Sequence, residues 1–373
     1  MKKILLVFGT RPEAIKMCPL AKELNRHKEF ETRICLTGQH REMLLDVMRA
    51  FSIRSDYNLD IMQSAQSLSD ITTSILSGMD HVFETWAPDI VLVHGDTTTS
   101  LAAALSAFYH HVPIGHVEAG LRSGNIYSPY PEEMNRILVD KISSMRFAPT
   151  EGNRKNLARE GLTDNVFVTG NTVIDAFATT VREEYSFGNG ALSNLFKGTN
   201  ERIILLTAHR RENLGAPLKN ICNAVLHLTD SFHDIRIVYP VHPNPAVRQP
   251  VYELLKGHDR ILLTEPLDVF DMHNLMAKCH LVMTDSGGLQ EEAPAFGKPV
   301  IVLRKETERP EAVEAGTVMI AGTEEDTIFR AVSSLLDDNV RYNQMAHAVN
   351  PYGDGHASER IVKVLNTIMF SAS

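Results

Sequence analysis

The chain has 373 residues, 43% hydrophobic and 22% charged, values that suit two packed cores and exclude a disordered or fibrous protein. Its formal charge of -9 at pH 7 has the wrong sign for a nucleic-acid binder, because neutralising phosphates needs a surplus of clustered Lys and Arg, so any anionic ligand must be held by local cations. No run approaches the roughly 18 apolar residues of a membrane span, the N-terminal ILLVF run is too short for a signal peptide, and the scattered Cys18, Cys35, Cys222 and Cys279 read as reduced core residues of a cytoplasmic protein.

Short runs of Val, Ile and Leu alternate with longer helical patterns almost from end to end, the signature of βαβ units around parallel sheets. Strands are expected at 3–8, 32–38, 89–95, 113–118, 146–149 and 165–170, and again at 202–208, 235–241, 261–266, 280–286, 299–304 and 317–322. Two such series predict an α/β protein of two Rossmann-like, doubly wound domains. The first is expected over 1–170, joined by a C-terminal helix at 358–373, and the second over 171–357, with the hinge near Gly170-Asn171.

Ligands of doubly wound sheets bind beyond the carboxyl ends of the strands, so the loops there are read in turn. FGTRPEAIK (8–16) puts Gly9, Arg11 and Lys16 at a strand-to-helix turn where N–H groups and cations can meet an anion; the plain alternative is a tight turn with exposed charges. HGDTTTS (94–100) presents Asp96 where an N-cap is the ordinary role. Glu118 ends the next strand and is followed by AGLRSGNIYSPYPEEMNR. There Pro131 suits the first helical position, Glu132 and Glu133 fall in the first turn, and Glu132 is spaced to pair with Arg136. Adjacent helical positions differ by roughly 100°, so only one of the two glutamates is expected to share a site with Glu118.

In the second half, TAHRRENLG (207–215) reads either as a solvated basic loop or as an anion clamp with His209 on a phosphate. His242 sits at another strand end, where a satisfied loop residue is the simpler account. TDSGGLQEEAPAFGKPV (284–300) is the most informative local motif. Its Ser286-Gly287-Gly288 turn opens a helix and can present backbone N–H groups to a diphosphate, with Glu292 one turn on to accept from a ribose. ETERPEA (306–312) adds Arg309.

Taken in order, FGTRPEAIKM, HGDTTT, HVEAGLRSG, YSPYPEEMNR, TGNTVIDA, TAHRREN, DSGGLQEEAP, ETERPEA and NPYGDG closely resemble the non-hydrolysing bacterial UDP-N-acetylglucosamine 2-epimerases, along essentially the whole chain. The resemblance implies a GT-B-like architecture of two facing domains, no cofactor, no metal and a homodimer. It implies reversible C2 epimerisation of UDP-N-acetylglucosamine to UDP-N-acetylmannosamine by anti elimination of UDP and re-addition through 2-acetamidoglucal, supplying cell-surface polysaccharide synthesis. Carried over by motif, Asp96, Glu118 and Glu132 resemble the acid/base carboxylates, and Arg11, Lys16 and His209 the groups beside the diphosphate. Ser286, Gly287, Gly288, Glu292 and Arg309 resemble nucleotide contacts, and so by position do Leu267 and Met272, although relatives often have Pro-Gln-Glu in that segment. Gln39, Glu42, Gln66 and His242 fall in segments that match a regulatory substrate site. Two other activities fit the same architecture: a glycosyltransferase, which leaves C2 untouched, and a hydrolysing epimerase, which releases UDP and N-acetylmannosamine.

Overall fold

The computed structural model describes residues 1–38, 41–63, 66–196 and 201–370, and the chain divides into two compact units, Met1–Thr179 with Tyr352–Ser373, and Thr180–Pro351. The division falls at Thr180 and Tyr352, not at 171 and 358 as the strand pattern suggested. The reason is local. The helix Thr172–Thr180 follows the last strand of the first unit and stays with it through Thr179. Its Asp175 accepts from Ala357 N (3.1 Å) and Ser358 N (2.6 Å), capping the final helix. That helix, Ala357–Phe370, is tied further to the first unit by Asn366 Nδ2, which donates to Glu29 at 3.1 Å, and by Phe370, whose ring lies 5.9 Å from that of Phe30.

The first unit is built on seven strands, β1 (Lys2–Phe8), β2 (Phe30–Leu36), β3 (Tyr57–Asn58), β4 (Ile90–His94), β5 (Ile114–Val117), β6 (Met145–Ala148) and β7 (Val166–Val168), in the order β3-β2-β1-β4-β5-β6-β7 with every pair parallel. β3 was not expected, because its two residues carry no apolar run to signal it. In β1, Ile4 to Phe8 are all fully buried, as befits a central parallel strand covered on both faces. Each such side chain contributes about 1.5–3 kcal/mol by leaving water.

The second unit has six parallel strands, β8 (Arg202–Thr207), β9 (Ile235–Pro240), β10 (Ile261–Thr264), β11 (Leu281–Thr284), β12 (Val300–Val302) and β13 (Val318–Ile320), ordered β10-β9-β8-β11-β12-β13. Both orders reverse direction once, between β1 and β4 and between β8 and β11. Loops leaving the carboxyl ends of strands that flank such a reversal diverge and leave a crevice. Arg11 and Asp96 follow β1 and β4, while His209 and Ser286 follow β8 and β11.

Candidate functional site

In the first unit, the loop after β1 is tied to the loop after β4 by one buried carboxylate. Glu13 is 2% exposed. Its Oε2 accepts from Gly9 N (3.0 Å) and Thr10 N (2.7 Å), and its Oε1 from the hydroxyls of Thr97 (2.6 Å) and Ser100 (3.2 Å). Thr10 and Glu13 form a capping box at the start of the helix Arg11–Leu24. Gly9 has to be a glycine: a Cβ there would stand 1.9 Å from Thr37 Oγ1. Arg11, half-buried, makes no hydrogen bond or ion pair among the described residues.

Asp96 is not an N-cap. Thr97 caps the helix Thr98–Tyr109, accepting from Ser100 N, which leaves the Asp96 carboxylate to pair with Arg136, while its carbonyl accepts from Asn135 Nδ2 at 2.9 Å. Arg136 is buried and also approaches Glu133 Oε2 at 3.2 Å. The expected surface pair between Glu132 and Arg136 therefore does not form. The helix Glu132–Ile142 begins at Glu132, with Pro131 in the cap position and not the first helical one.

The two neighbouring glutamates have different fates. Glu133 is 1% exposed and clasps the preceding loop, accepting from Ser123 N (2.9 and 3.0 Å) and Gly124 N (3.0 Å). Glu132 is half-buried and has no hydrogen bond or ion pair among the described residues.

Glu118 lies just past β5 with φ +69°, a left-handed conformation that costs a non-glycine residue energy and is typical of functional positions. Its carboxylate pairs with Lys16, accepts from Asn171 Nδ2 at 2.9 Å and lies 3.5 Å from His94 Nε2. Burial works to raise its pKa, but the charges of Lys16 and His94 outweigh it and hold the group well below the usual carboxylate range. A Cβ at Gly95 would lie 3.7 Å from Glu118 Oε1, so the carboxylates of Asp96 and Glu118 belong to adjoining loops. Beneath both runs a buried chain in which Asp140 Oδ1 meets His116 Nδ1 at 2.6 Å, and His116 Nε2 meets the Gly95 carbonyl at 2.8 Å.

In the second unit, His209 stacks on His242 with ring centroids 5.2 Å apart and planes 11° apart. The backbone N–H groups of His209 and Arg210 each donate to Asp285 Oδ2 at 2.8 Å. Burial lowers the His209 pKa, with His242 and Arg210 acting in the same direction against Asp285 and Glu212. Arg309 lies over the glycine turn, its guanidinium carbon 2.8 Å from where a Cβ of Gly287 would be, and it pairs with Glu291 (2.8 Å) and Glu308 (2.9 Å). Ser286 occupies the cap position of the short helix Gly287–Glu292 without a side-chain cap bond. A Cβ at Gly288 would be 3.2 Å from Glu292 Oε1, and Glu292 Oε2 lies 3.5 Å from His273 Nε2. Leu267 is buried, 7% exposed; Met272 is half-buried in the helix Val269–Lys278.

Of the four residues in the segments matched to a regulatory site, Gln39 and the Glu42 side chain lie outside the described residues. Gln66, in the first unit, spends its amide on its own turn: Nε2 donates to Ile61 O (2.6 Å) and Oε1 accepts from Gln63 N (3.0 Å). His242, in the second, is exposed and accepts from Asn244 N at 3.1 Å. Among the described residues no group of three or more His, Cys, Asp or Glu is placed to hold a metal, and no helix is long and apolar enough to cross a membrane.

The sequence reading missed Glu13, His94, Asn171 and Asp285. The T-x-x-E spacing at Thr10 to Glu13 is a legible capping signal, but nothing in it foretells the second pair of hydroxyl donors. Asn171 and Asp285 stand inside quoted motifs, and their roles depend on contacts 53 and 76 positions away.

Residues 22–366 match the family model described as UDP-N-acetylglucosamine 2-epimerase. The chain is 52% identical to the UDP-N-acetylglucosamine 2-epimerase of Bacillus subtilis, over 97% of this chain and 94% of that one. It is similar to the crystal structure of UDP-GlcNAc 2-epimerase from Neisseria meningitidis bound to UDP-GlcNAc, with a TM-score of 0.89 and 47% identity, covering 98% of this chain and 100% of that one. A crystal structure of the glycotransferase of kitacinnamycin superposes with a TM-score of 0.67 over 98% of this chain and 99% of that one, at 11% identity, a likeness of fold alone.

Proposed function

The chain belongs to the UDP-N-acetylglucosamine 2-epimerase family, and from that premise we propose that it reversibly converts UDP-N-acetylglucosamine to UDP-N-acetylmannosamine without net hydrolysis, supplying cell-surface polysaccharide synthesis. The reaction in this reading is anti elimination of UDP to 2-acetamidoglucal, followed by re-addition. The observation that carries it is that Asp96 and Glu118, on the loops after the paired strands β4 and β5, each have their own cation, Arg136 and Lys16, and that Arg136 lies on the helix that begins with Glu132.

Elimination breaks the anomeric C1–O bond, so positive charge grows on the sugar and negative charge on the departing diphosphate. Fixed cations lower that barrier, and Arg11, Lys16, His209 and Arg309 take this role. Loss and return of the C2 proton on opposite faces needs two differently placed groups. Glu118 starts as an anion held by Lys16. A diphosphate that shares the Lys16 charge weakens that hold and makes Glu118 a better base. Glu132, whose side chain has no partner among the described residues, takes the remaining acid/base place, and Asp96 is oriented by Arg136. In the second unit, Ser286, Gly287 and Gly288 present the turn to the diphosphate, Glu292 receives the ribose, and the Leu267 and Met272 segment borders the base.

We place the enzyme in the cytoplasm, a setting supported by four buried free cysteines, and as a homodimer, which sedimentation analysis tests. A glycosyltransferase would need an acceptor and would leave C2 unchanged; a hydrolysing epimerase would release N-acetylmannosamine. Incubation of the purified protein with UDP-N-acetylglucosamine and NMR of the sugars separates them: UDP-N-acetylmannosamine supports the proposal, and unchanged substrate or free N-acetylmannosamine as the main product overturns it.

A further inference from the structure

Asp285 ends β11 and is fully buried. One of its oxygens is heavily used: Oδ2 accepts from the N–H groups of His209 and Arg210 at 2.8 Å and from Asn213 Nδ2 at 3.0 Å. The other, Oδ1, accepts no hydrogen bond among the described residues, yet lies 3.7 Å from Nδ1 of His209. A buried carboxylate oxygen without a donor is a costly arrangement and needs a reason. The charged and titratable groups about the His209 ring are Asp285, the stacked His242, Arg210 and Glu212.

We propose that Asp285 is a positioning residue for His209, its free oxygen reserved for the doubly protonated ring. When an anionic diphosphate docks against His209, the ring takes a proton from bulk water, Nδ1–H closes onto Asp285 Oδ1, and Nε2–H donates to a phosphate oxygen. No covalent bond to the ligand forms. In the free protein, burial and the neighbouring His242 and Arg210 keep the ring neutral, so the extra proton arrives with the ligand and leaves with it. The same carboxylate fixes the loop through two backbone N–H groups, so loop geometry and ring protonation are set by one residue. This rests on the reading above that a UDP diphosphate is held at His209.

The test is residue-specific NMR of protein labelled with ¹⁵N-histidine, using UDP at saturation as the probe and the spectrum of His209→Gln for assignment. At pH 7 the wild-type ring should be neutral when free and carry both protons with UDP bound. Asp285→Asn should stay neutral under UDP and bind it roughly tenfold more weakly at this pH, the cost of about one unit in the ring's pKa. Asn213→Ala removes a loop anchor and leaves the carboxylate, so it should still protonate His209 under UDP, which a purely structural role for Asp285 does not predict. If UDP binds and His209 stays neutral in the wild type, the dyad is wrong while the epimerase reading stands. If UDP fails to bind the wild type, both fall. The wild-type measurement decides even if Asp285→Asn does not fold.

Discussion

Lys16, in the first helix of the chain, forms an ion pair with Glu118, 102 positions away just past β5. Its charge, with that of His94, overrides the burial that would otherwise raise the Glu118 pKa. Removing the cation leaves only His94 to oppose burial, so Lys16→Met should move the acid limb of the pH–rate profile upward and lower kcat/KM by about 10²–10³-fold. An acid limb that stays in place would mean that Glu118 does not govern it.

Asp96→Asn, Glu118→Gln and Glu132→Gln should each reduce turnover by about 10²–10⁴-fold, the usual contribution of one acid or base. Glu133→Gln should behave in the opposite sense. It turns the carboxylate oxygen shared by the Ser123 amide and Arg136 into an NH2 donor, so stability should fall by about 1–3 kcal/mol with a smaller loss of turnover. Glu132→Gln, with no partner to lose among the described residues, should melt like the wild type. Denaturant unfolding beside steady-state kinetics for the pair checks the crossing.

Gly287→Ala probes Arg309 without replacing it. The added Cβ would meet the guanidinium at 2.8 to 3.1 Å, so the guanidinium must shift against its pairs with Glu291 and Glu308. The variant should lose about 0.5–3 kcal/mol of stability and bind UDP more weakly by calorimetry. Unchanged UDP affinity would remove Arg309 from the nucleotide contacts.

The buried Asp140 works through stability. Burial pushes its pKa up, but His116 and Arg122 outweigh that and leave it depressed. A depressed carboxylate contributes stability above its unfolded value, about 3.9, and loses it as pH falls through the folded value. Asp140→Asn should therefore cost about 3–5 kcal/mol at pH 7, with the gap from wild type closing below about pH 4. A gap that persists in acid would contradict this account.

The two sheets were legible because each central strand is a continuous apolar run closed by a polar loop, and nearly every strand of the structure answers to such a run. Tyr57–Asn58 has none and was invisible. The domain boundary was misplaced because a strand end at Gly170 looks like a stop, whereas Asp175 in the next helix is engaged by the distant amides of Ala357 and Ser358. At the candidate site, the residue types that do chemistry could be named from their motifs, but their partners could not. The periodicity offered Arg136 to Glu132, and the fold gives it to Asp96 and Glu133. Which carboxylate is paired, clasped or free is decided by long-range packing that no local spacing encodes.

The central claim is that a base takes the C2 proton and an acid returns one on the other face. Carboxylates exchange protons with water far faster than enzymes turn over, so the returned hydrogen should come from solvent. With the purified protein and UDP-N-acetylglucosamine in D₂O, NMR should find deuterium at C2 of UDP-N-acetylmannosamine and, at longer times, in the recovered substrate. Epimerised product that keeps its original C2 protium in D₂O would contradict elimination and re-addition.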